Sequence, residues 1–289
     1  MNQTIEIQPS SKKTILFGIF LFSIFLLLYS PILPGMYSVW MFNTNNSHGI
    51  LVPLISLYLI FDKRKRLHLN DIETSPWGLA LLIISLLLYI AGIIGSVEIL
   101  PRLTIVTTLM GLALYHLGRK IFAVLFFPLL FLFFMVPVPD SLTGAVAFPL
   151  QLMATKLSAQ IINSLSIPVY REGNMLYFAN TSLEVAEACS GIRSLMAYLM
   201  LGTLFAYMVH GRFYKRILLV AVTIPLAFFA NLLRVTGTGI LAHFYGSRVA
   251  RGFLHEFSGI VMFLFGFILL FLLYIALDRK ERANDGHKG

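Results

Sequence analysis

Three side chains with the means to do chemistry stand far apart along the 289 residues. Cys189 is the chain's single thiol, in Glu187-Ala-Cys-Ser-Gly-Ile-Arg193. Arg234 lies in Ala230-Asn-Leu-Leu-Arg-Val235, and His255 in Phe253-Leu-His-Glu-Phe-Ser-Gly259. A thiolate is a strong nucleophile, and a nearby His or Arg, or a helix N-terminus, favours that form. A histidine can take the thiol proton and return it to a leaving amine. An arginine stays charged in a partly apolar site and can hold an oxyanion or a carbonyl. Three further residues could assist: His48 in Ser47-His-Gly-Ile50, Arg193, and Glu256 beside His255. Each also has a plainer reading. A lone cysteine often packs as a small hydrophobe, and an arginine at a span end can reach to lipid headgroups. Arg193 could balance Glu184 or Glu187, and Glu256 could orient His255 or face water.

The elements that must position these residues are membrane helices. Hydrophobic residues make up 58% of the chain and charged residues 12%, with a mean hydropathy of +0.83. Soluble domains carry about 25% charge, so a water-soluble enzyme and a disordered chain are both excluded. A span needs roughly 20 apolar residues. Candidate spans cover residues 14–33, 50–61, 77–95, 103–117, 121–136, 190–209, 217–233 and 258–277. The first resembles a signal peptide but is too long and lacks a small-residue cleavage site, so it reads as retained. The expected fold class is all-α: a single polytopic membrane domain over residues 1–289, with about eight transmembrane helices.

Charge orients them. The net charge is +9, and fifteen of the 22 basic residues fall in five clusters: Lys12–Lys13, Lys63–Arg66, Arg119–Lys120, Arg212 with Lys215 and Arg216, and the tail from Arg279. Eight spans with both termini cytoplasmic put every cluster on one side, as basic residues do in membrane proteins. Nucleic-acid binding, the other reading of a basic chain, is not expected. Residues 137–188 fit no simple span. Ser141–Leu165 reads as an amphipathic helix at the outer interface or re-entering the bundle. Ile167–Val185 reads as a small extracytoplasmic hairpin. Under this topology Cys189, Arg234 and His255 share the outer membrane layer, and His48 joins them. Ionisable groups at such a depth are functional candidates by default.

Other chemistries fail on inspection. His255-Glu256 begins a zinc-protease motif, but position 259 is Gly, so the second histidine is missing. One cysteine allows neither an internal disulfide nor a multi-cysteine metal site. No Gly-rich phosphate loop is present. No metal or cofactor is expected.

With these motifs the chain resembles the exosortase/archaeosortase family of membrane protein-sorting enzymes. The residues that carry the resemblance are Ser47-His-Gly-Ile-Leu-Val-Pro-Leu54, Val138-Pro-Asp140, Pro168-Val-Tyr-Arg-Glu-Gly-Asn174, Glu187-Ala-Cys-Ser-Gly-Ile-Arg-Ser194, Asn231-Leu-Leu-Arg234 and His255-Glu-Phe-Ser-Gly259. The resemblance implies a cysteine protease or transpeptidase with Cys189 as nucleophile, His255 as general base and acid, and Arg234 stabilising the oxyanion. Archaeal relatives carry Arg at the third position, so His255 is nearer the bacterial form. The implied substrates are exported proteins ending in a Pro-Glu-Pro-type (PEP-CTERM-like) motif, a hydrophobic helix and a basic tail. They would be cut at the outer face of a bacterial inner membrane, with an acyl acceptor that the sequence does not name. Arg193, His48 and Glu256 would contribute to binding. A transporter with an Arg/His pathway and a lipid- or polysaccharide-modifying transferase remain the alternatives on residue types alone. Only the protease needs the thiol.

Overall fold

The computed structural model describes residues 9–67, 72–185, 191–210, 212–246 and 253–285, with side chains described from residue 16 onward but not over 253–258 or beyond 279. The chain is an all-α polytopic membrane protein. It divides into two compact units, Met1–Pro139 and Asp140–Gly289.

The first unit contains α1 (Pro9–Tyr29), α2 (Leu33–Phe42), a 3-10 turn at Ser47–Ile50, α3 (Leu51–Asp62), α4 (Pro76–Ile94) and α5 (Ile99–Phe131). In apolar surroundings helices associate through close packing of small residues and a few polar contacts. The α4–α5 hairpin uses both. A Cβ at Gly78 would fall 2.1 Å from the Tyr115 backbone nitrogen, and one at Gly92 would fall 2.5 Å from Pro101. Between them Ser85 Oγ donates to Thr107 Oγ1 at 2.8 Å. α1 lies against the same helix, with the buried Tyr29 hydroxyl bonded to Thr108 Oγ1 (2.8 Å) and Thr104 Oγ1 (3.1 Å). α3 packs on the later part of α5, where Ser56 Oγ donates to the Pro128 carbonyl.

α5 is two helices joined at a break. Gly118 has φ +80° and ψ 177°, and a Cβ there would meet the Glu73 carbonyl oxygen at 2.1 Å. Only glycine meets both demands. The break lies between the expected spans 103–117 and 121–136, beside Arg119 and Lys120.

The second unit contains α6 (Asp140–Ser164), strands β1 (Tyr170–Glu172), β2 (Met175–Tyr177) and β3 (Ser182–Glu184), then α7 (Ile192–Met208), α8 (Phe213–Tyr245) and α9 (Phe253–Asp285). α7, α8 and α9 pack together along their lengths. Gly202 accepts the Thr223 methyl, and the Tyr198 hydroxyl donates to the Met262 and Phe263 carbonyls over Gly266. At one end His210 Nδ1 and backbone N–H both meet Asp278 Oδ1 at 3.0 Å, and Lys215 Nζ donates to the Leu277 carbonyl. Nineteen residues along both α8 and α9 lead from that end to Arg234 and Gly259. At 1.5 Å per residue this is about 29 Å, the thickness of a bilayer's hydrocarbon core.

α6 and the sheet cover the far part of α8. Ser158 Oγ meets Thr236 Oγ1 at 3.1 Å, Ile162 lies against Gly239, and Leu176, Phe178, Leu183 and Val185 form one apolar core with Ala154, Val235 and Ala242. Where a two-stranded hairpin was expected, the strands form a three-stranded antiparallel sheet in the order β1-β2-β3. Glu172 pairs with Met175 across a two-residue Gly173-Asn174 loop, with Gly173 at the positive φ such loops favour.

Among the described residues, five helical stretches are long and apolar enough to cross a membrane: Pro76–Ile94, Ile99–Met135, Asp140–Ser164, Phe213–Tyr245 and Gly259–Arg279. A sixth exists if α1 and α2, bent by 67°, form one span. Eight were expected. The difference has three sources. α3 and α7, at 12 and 17 residues, are short. The two expected spans between 103 and 136 follow one another directly across the Gly118 break and together make one of the five stretches. The expected interfacial helix is itself 25 residues long and passes on length and hydropathy.

Candidate active site

Arg234 lies on α8, half-buried, with its guanidinium against the backbone of Gly259 on α9. A Cβ built on Gly259 would be 3.3 Å from Cζ and Nη2 and 3.7 Å from Nη1 of Arg234. The absent side chain is therefore what admits the guanidinium. One turn earlier on α9 is His255, whose backbone is helical; its side chain and that of Glu256 lie outside the described residues.

A second close approach lies one turn away on α8. Asn231 precedes Arg234 by three residues, so the two share a helix face. Asn231 is 4% exposed, and its side chain sits against Gly191: a Cβ there would fall 3.1 Å from Asn231 Cβ and Cγ. Gly191 caps the start of α7 in the left-handed region, at φ +79°. Its carbonyl accepts from the Leu195 N–H and the Ser194 hydroxyl, which fixes the first turn. Cys189 belongs to residues 186–190, outside the described residues. The chain on the other side of that segment is also anchored. The Val185 carbonyl accepts from the buried Gln151 side chain and from Asn174 Nδ2, and the Val185 N–H donates to the Asn174 carbonyl.

Among the expected site residues, the structure thus brings the Arg234 side chain to α9 one turn from His255. It brings α8 to within contact of Gly191, two residues from Cys189. Arg193 is exposed, in the first turn of α7. His48 belongs to the first unit, in the 3-10 turn before α3. Burial lowers its pKa below the ordinary imidazole value, and hydrogen bonds to the Asn45 and Phe134 carbonyls partly oppose the shift. Among the described residues no group of three or more His, Cys, Asp or Glu could hold a metal ion.

Sequence reasoning gave no role to Asn231, Gly191, Gly259 or Gln151. Asn231 left a signal, being a polar residue in an apolar helix and on the Arg234 face. Gly191 and Gly259 stand in motifs of the family resemblance, but no chemistry marks them, because what they do is admit a neighbour.

Alongside Gly191 lies a small cleft of about 30 Å³, bounded by Leu150 of α6, Leu195 of α7 and the Ile224–Asn231 face of α8. Its walls are apolar except for Asn231.

A model of the transmembrane exosortase family matches residues 40–272 of the chain. No curated protein matches. No solved structure matches either.

Proposed function

From the premise that the chain belongs to the transmembrane exosortase family, we propose that it is a membrane cysteine protease and transpeptidase of exported proteins. Its substrates carry a C-terminal Pro-Glu-Pro-type motif, a hydrophobic helix and a basic tail. The observation that carries this reading is the pair of close approaches on one face of α8: Asn231 at Gly191 and Arg234 at Gly259. Cys189 is two residues from Gly191.

The chemistry follows from the three groups. His255 takes the Cys189 thiol proton, and the thiolate sulfur attacks the scissile carbonyl carbon. The carbonyl π electrons move onto oxygen, and the Arg234 guanidinium stabilises that oxyanion. When the C–N bond breaks, the imidazolium returns the proton to the leaving nitrogen. A thioester remains on Cys189. An incoming water or amine, deprotonated by His255, attacks the thioester and releases the thiol. Water gives hydrolysis; an amine acceptor gives transfer. Arg193, at the start of α7, contributes to binding the acidic motif, with His48 and Glu256 as further binding groups.

The topology that serves this chemistry has eight passes and both termini cytoplasmic in a bacterial inner membrane. Gly118, beside Arg119 and Lys120, is the cytoplasmic turn between two passes. α6 returns toward the outer interface without a full crossing. A full crossing would export the Arg212, Lys215 and Arg216 cluster, against the basic-residue rule. The sheet and the Arg234–Gly259 layer are then extracytoplasmic, where the motif of an exported protein with a cytoplasmic basic tail must lie.

A membrane-impermeant thiol reagent tests the arrangement, since Cys189 is the single thiol. Labelling of intact spheroplasts, lost in Cys189→Ser, supports an extracytoplasmic nucleophile. Labelling from the cytoplasmic side alone contradicts it.

A further inference from the structure

β3 is an edge strand whose chain leads to the nucleophile. It pairs with β2 on one side and ends the sheet on the other, and Glu184 precedes Cys189 by five residues. Along an antiparallel ladder, hydrogen-bonded pairs alternate with non-bonded pairs. The Phe178 N–H donates to the Thr181 carbonyl at 2.8 Å, and the Val185 N–H donates to the Asn174 carbonyl at 2.9 Å. In that register Leu183, opposite Leu176, is the β3 residue bonded to β2. Ser182 and Glu184, opposite Tyr177 and Met175, therefore turn their main-chain N–H and C=O groups away from β2. Leu183 is buried and Glu184 is exposed. The other edge of the sheet differs. There Arg171 of β1 is the residue with its main chain turned outward, and its guanidinium donates to the Gly173 carbonyl at 2.9 Å. A charge so placed resists strand pairing.

We propose that the outer edge of β3 docks the substrate's Pro-Glu-Pro motif, which adds to the sheet as a parallel fourth strand. This rests on the protease reading. The motif's own chemistry suits an edge. In an extended chain, successive residues turn their N–H and C=O groups to opposite sides. Prolines at alternate positions thus strip every N–H from one side of the motif and leave the Glu N–H and C=O on the other. Such a segment pairs with one neighbour only, as proline-bearing strands in sheets do. Parallel pairing sets the motif's Glu opposite Leu183. Its N–H then donates to the Ser182 carbonyl, and its C=O accepts from the Glu184 N–H. Both outward-turned residues of β3 are used. The motif's Glu side chain falls on the Leu183 face, away from Glu184, so two like charges are not set side by side. A parallel strand also carries the substrate chain in the direction in which β3 leads to Cys189.

The test uses the full-length protein in membranes and a reporter ending in a Pro-Glu-Pro motif, a hydrophobic helix and a basic tail. Glu184→Pro removes the outward N–H and leaves the ladder to β2 intact; Glu184→Ala, which keeps that N–H, is the reference. Glu184→Pro should have a kcat/KM about three- to tenfold below Glu184→Ala, the worth of one hydrogen bond, mainly through KM and at a similar unfolding temperature. A second measurement needs no change in the enzyme: a reporter with Pro-Pro-Pro, which lacks the central N–H, should be cut several-fold more slowly than one with Pro-Gln-Pro. In a Cys189→Ala background, a photoactivatable phenylalanine analogue at Glu184 should give an adduct to the motif several times stronger than one at Tyr170 on β1, which is 68% exposed. Equal kcat/KM for the two Glu184 variants, equal cutting of the two altered reporters, or equal adducts from the two strands overturns the proposal. So does a loss of cleavage in Glu184→Pro that a fall in unfolding temperature accounts for. Cys189→Ala alone reads the parent reading separately: persistent cleavage rejects the thiol mechanism, whatever the adducts show.

Discussion

The substitution Gly259→Ala separates the needs of the fold from those of the chemistry. The new Cβ would stand 3.3 Å from Arg234 Cζ and Nη2. Carbon contacts settle near 3.5–4.0 Å, so the guanidinium must recede by about 0.4 Å. A 1 Å misplacement of a reacting partner costs up to about 100-fold in rate. In proportion, 0.4 Å corresponds to about 1 kcal/mol, or roughly fivefold in kcat. The backbone responds with the opposite sign. Gly259 is inside α9, and Ala in place of Gly there favours the helix by about 1 kcal/mol. Gly259→Ala is thus expected to be as stable as the natural protein or slightly more so, and several-fold slower. Gly259→Leu, which drives the guanidinium back by more than 1 Å, should lose about 100-fold or more. The assay is reporter cleavage in membranes at matched protein level, with thermal unfolding of the detergent-solubilised protein beside it. If both variants cut at the natural rate, the guanidinium beside Gly259 is not part of the reaction, and the assignment of Arg234 fails.

Three further outcomes are expected. Gly191→Ala meets a left-handed φ of +79° and a Cβ position 3.1 Å from Asn231. It should destabilise the protein by about 1–2 kcal/mol and slow cleavage, read by the same two assays; an unchanged unfolding temperature would contradict the strain. Burial keeps His48 neutral in the fold, with its pKa below the ordinary value of about 6.5. The stability this contributes is present above about pH 6.5 and is lost as pH falls toward the folded pKa, because the unfolded chain binds the proton first. The unfolding temperature should therefore fall between pH 7.5 and 5, and fall less in His48→Gln; equal slopes would refute the assignment to His48. Arg234→Lys keeps the charge but loses the planar fork, and should cost well over tenfold in cleavage without loss of expression.

The membrane class and the helix positions were legible in the sequence because apolar runs and basic clusters act independently of partners. α7 and α4 begin within two residues of their expected starts at 190 and 77, and the expected boundary between 117 and 121 brackets Gly118. The ends were less legible. Apolar periodicity does not say where a span stops when the helix continues out of it, so α8 runs on to Tyr245, well beyond the expected 233. That extension is covered by α6 and the sheet through Val235, Gly239 and Ala242. A long-range packing partner of this kind leaves no local pattern. The same holds at the site. Residue type and membrane depth picked out Arg234 and, through it, the α8 face. The contacts that seat it are made by Gly191 and Gly259, whose contribution is the absence of a side chain. The family match over residues 40–272 agrees with the motifs the sequence displays.

The central claim is that catalysis passes through a thioester on Cys189. The direct measurement is to trap that intermediate from the reporter by rapid acid quench and identify the modified residue by mass spectrometry. An acyl adduct is expected on Cys189 that hydroxylamine releases, that is absent in Cys189→Ala, and that accumulates when the acceptor is withheld. Cleavage of the reporter at the normal rate in Cys189→Ala, or an acyl adduct on any other residue, would contradict it.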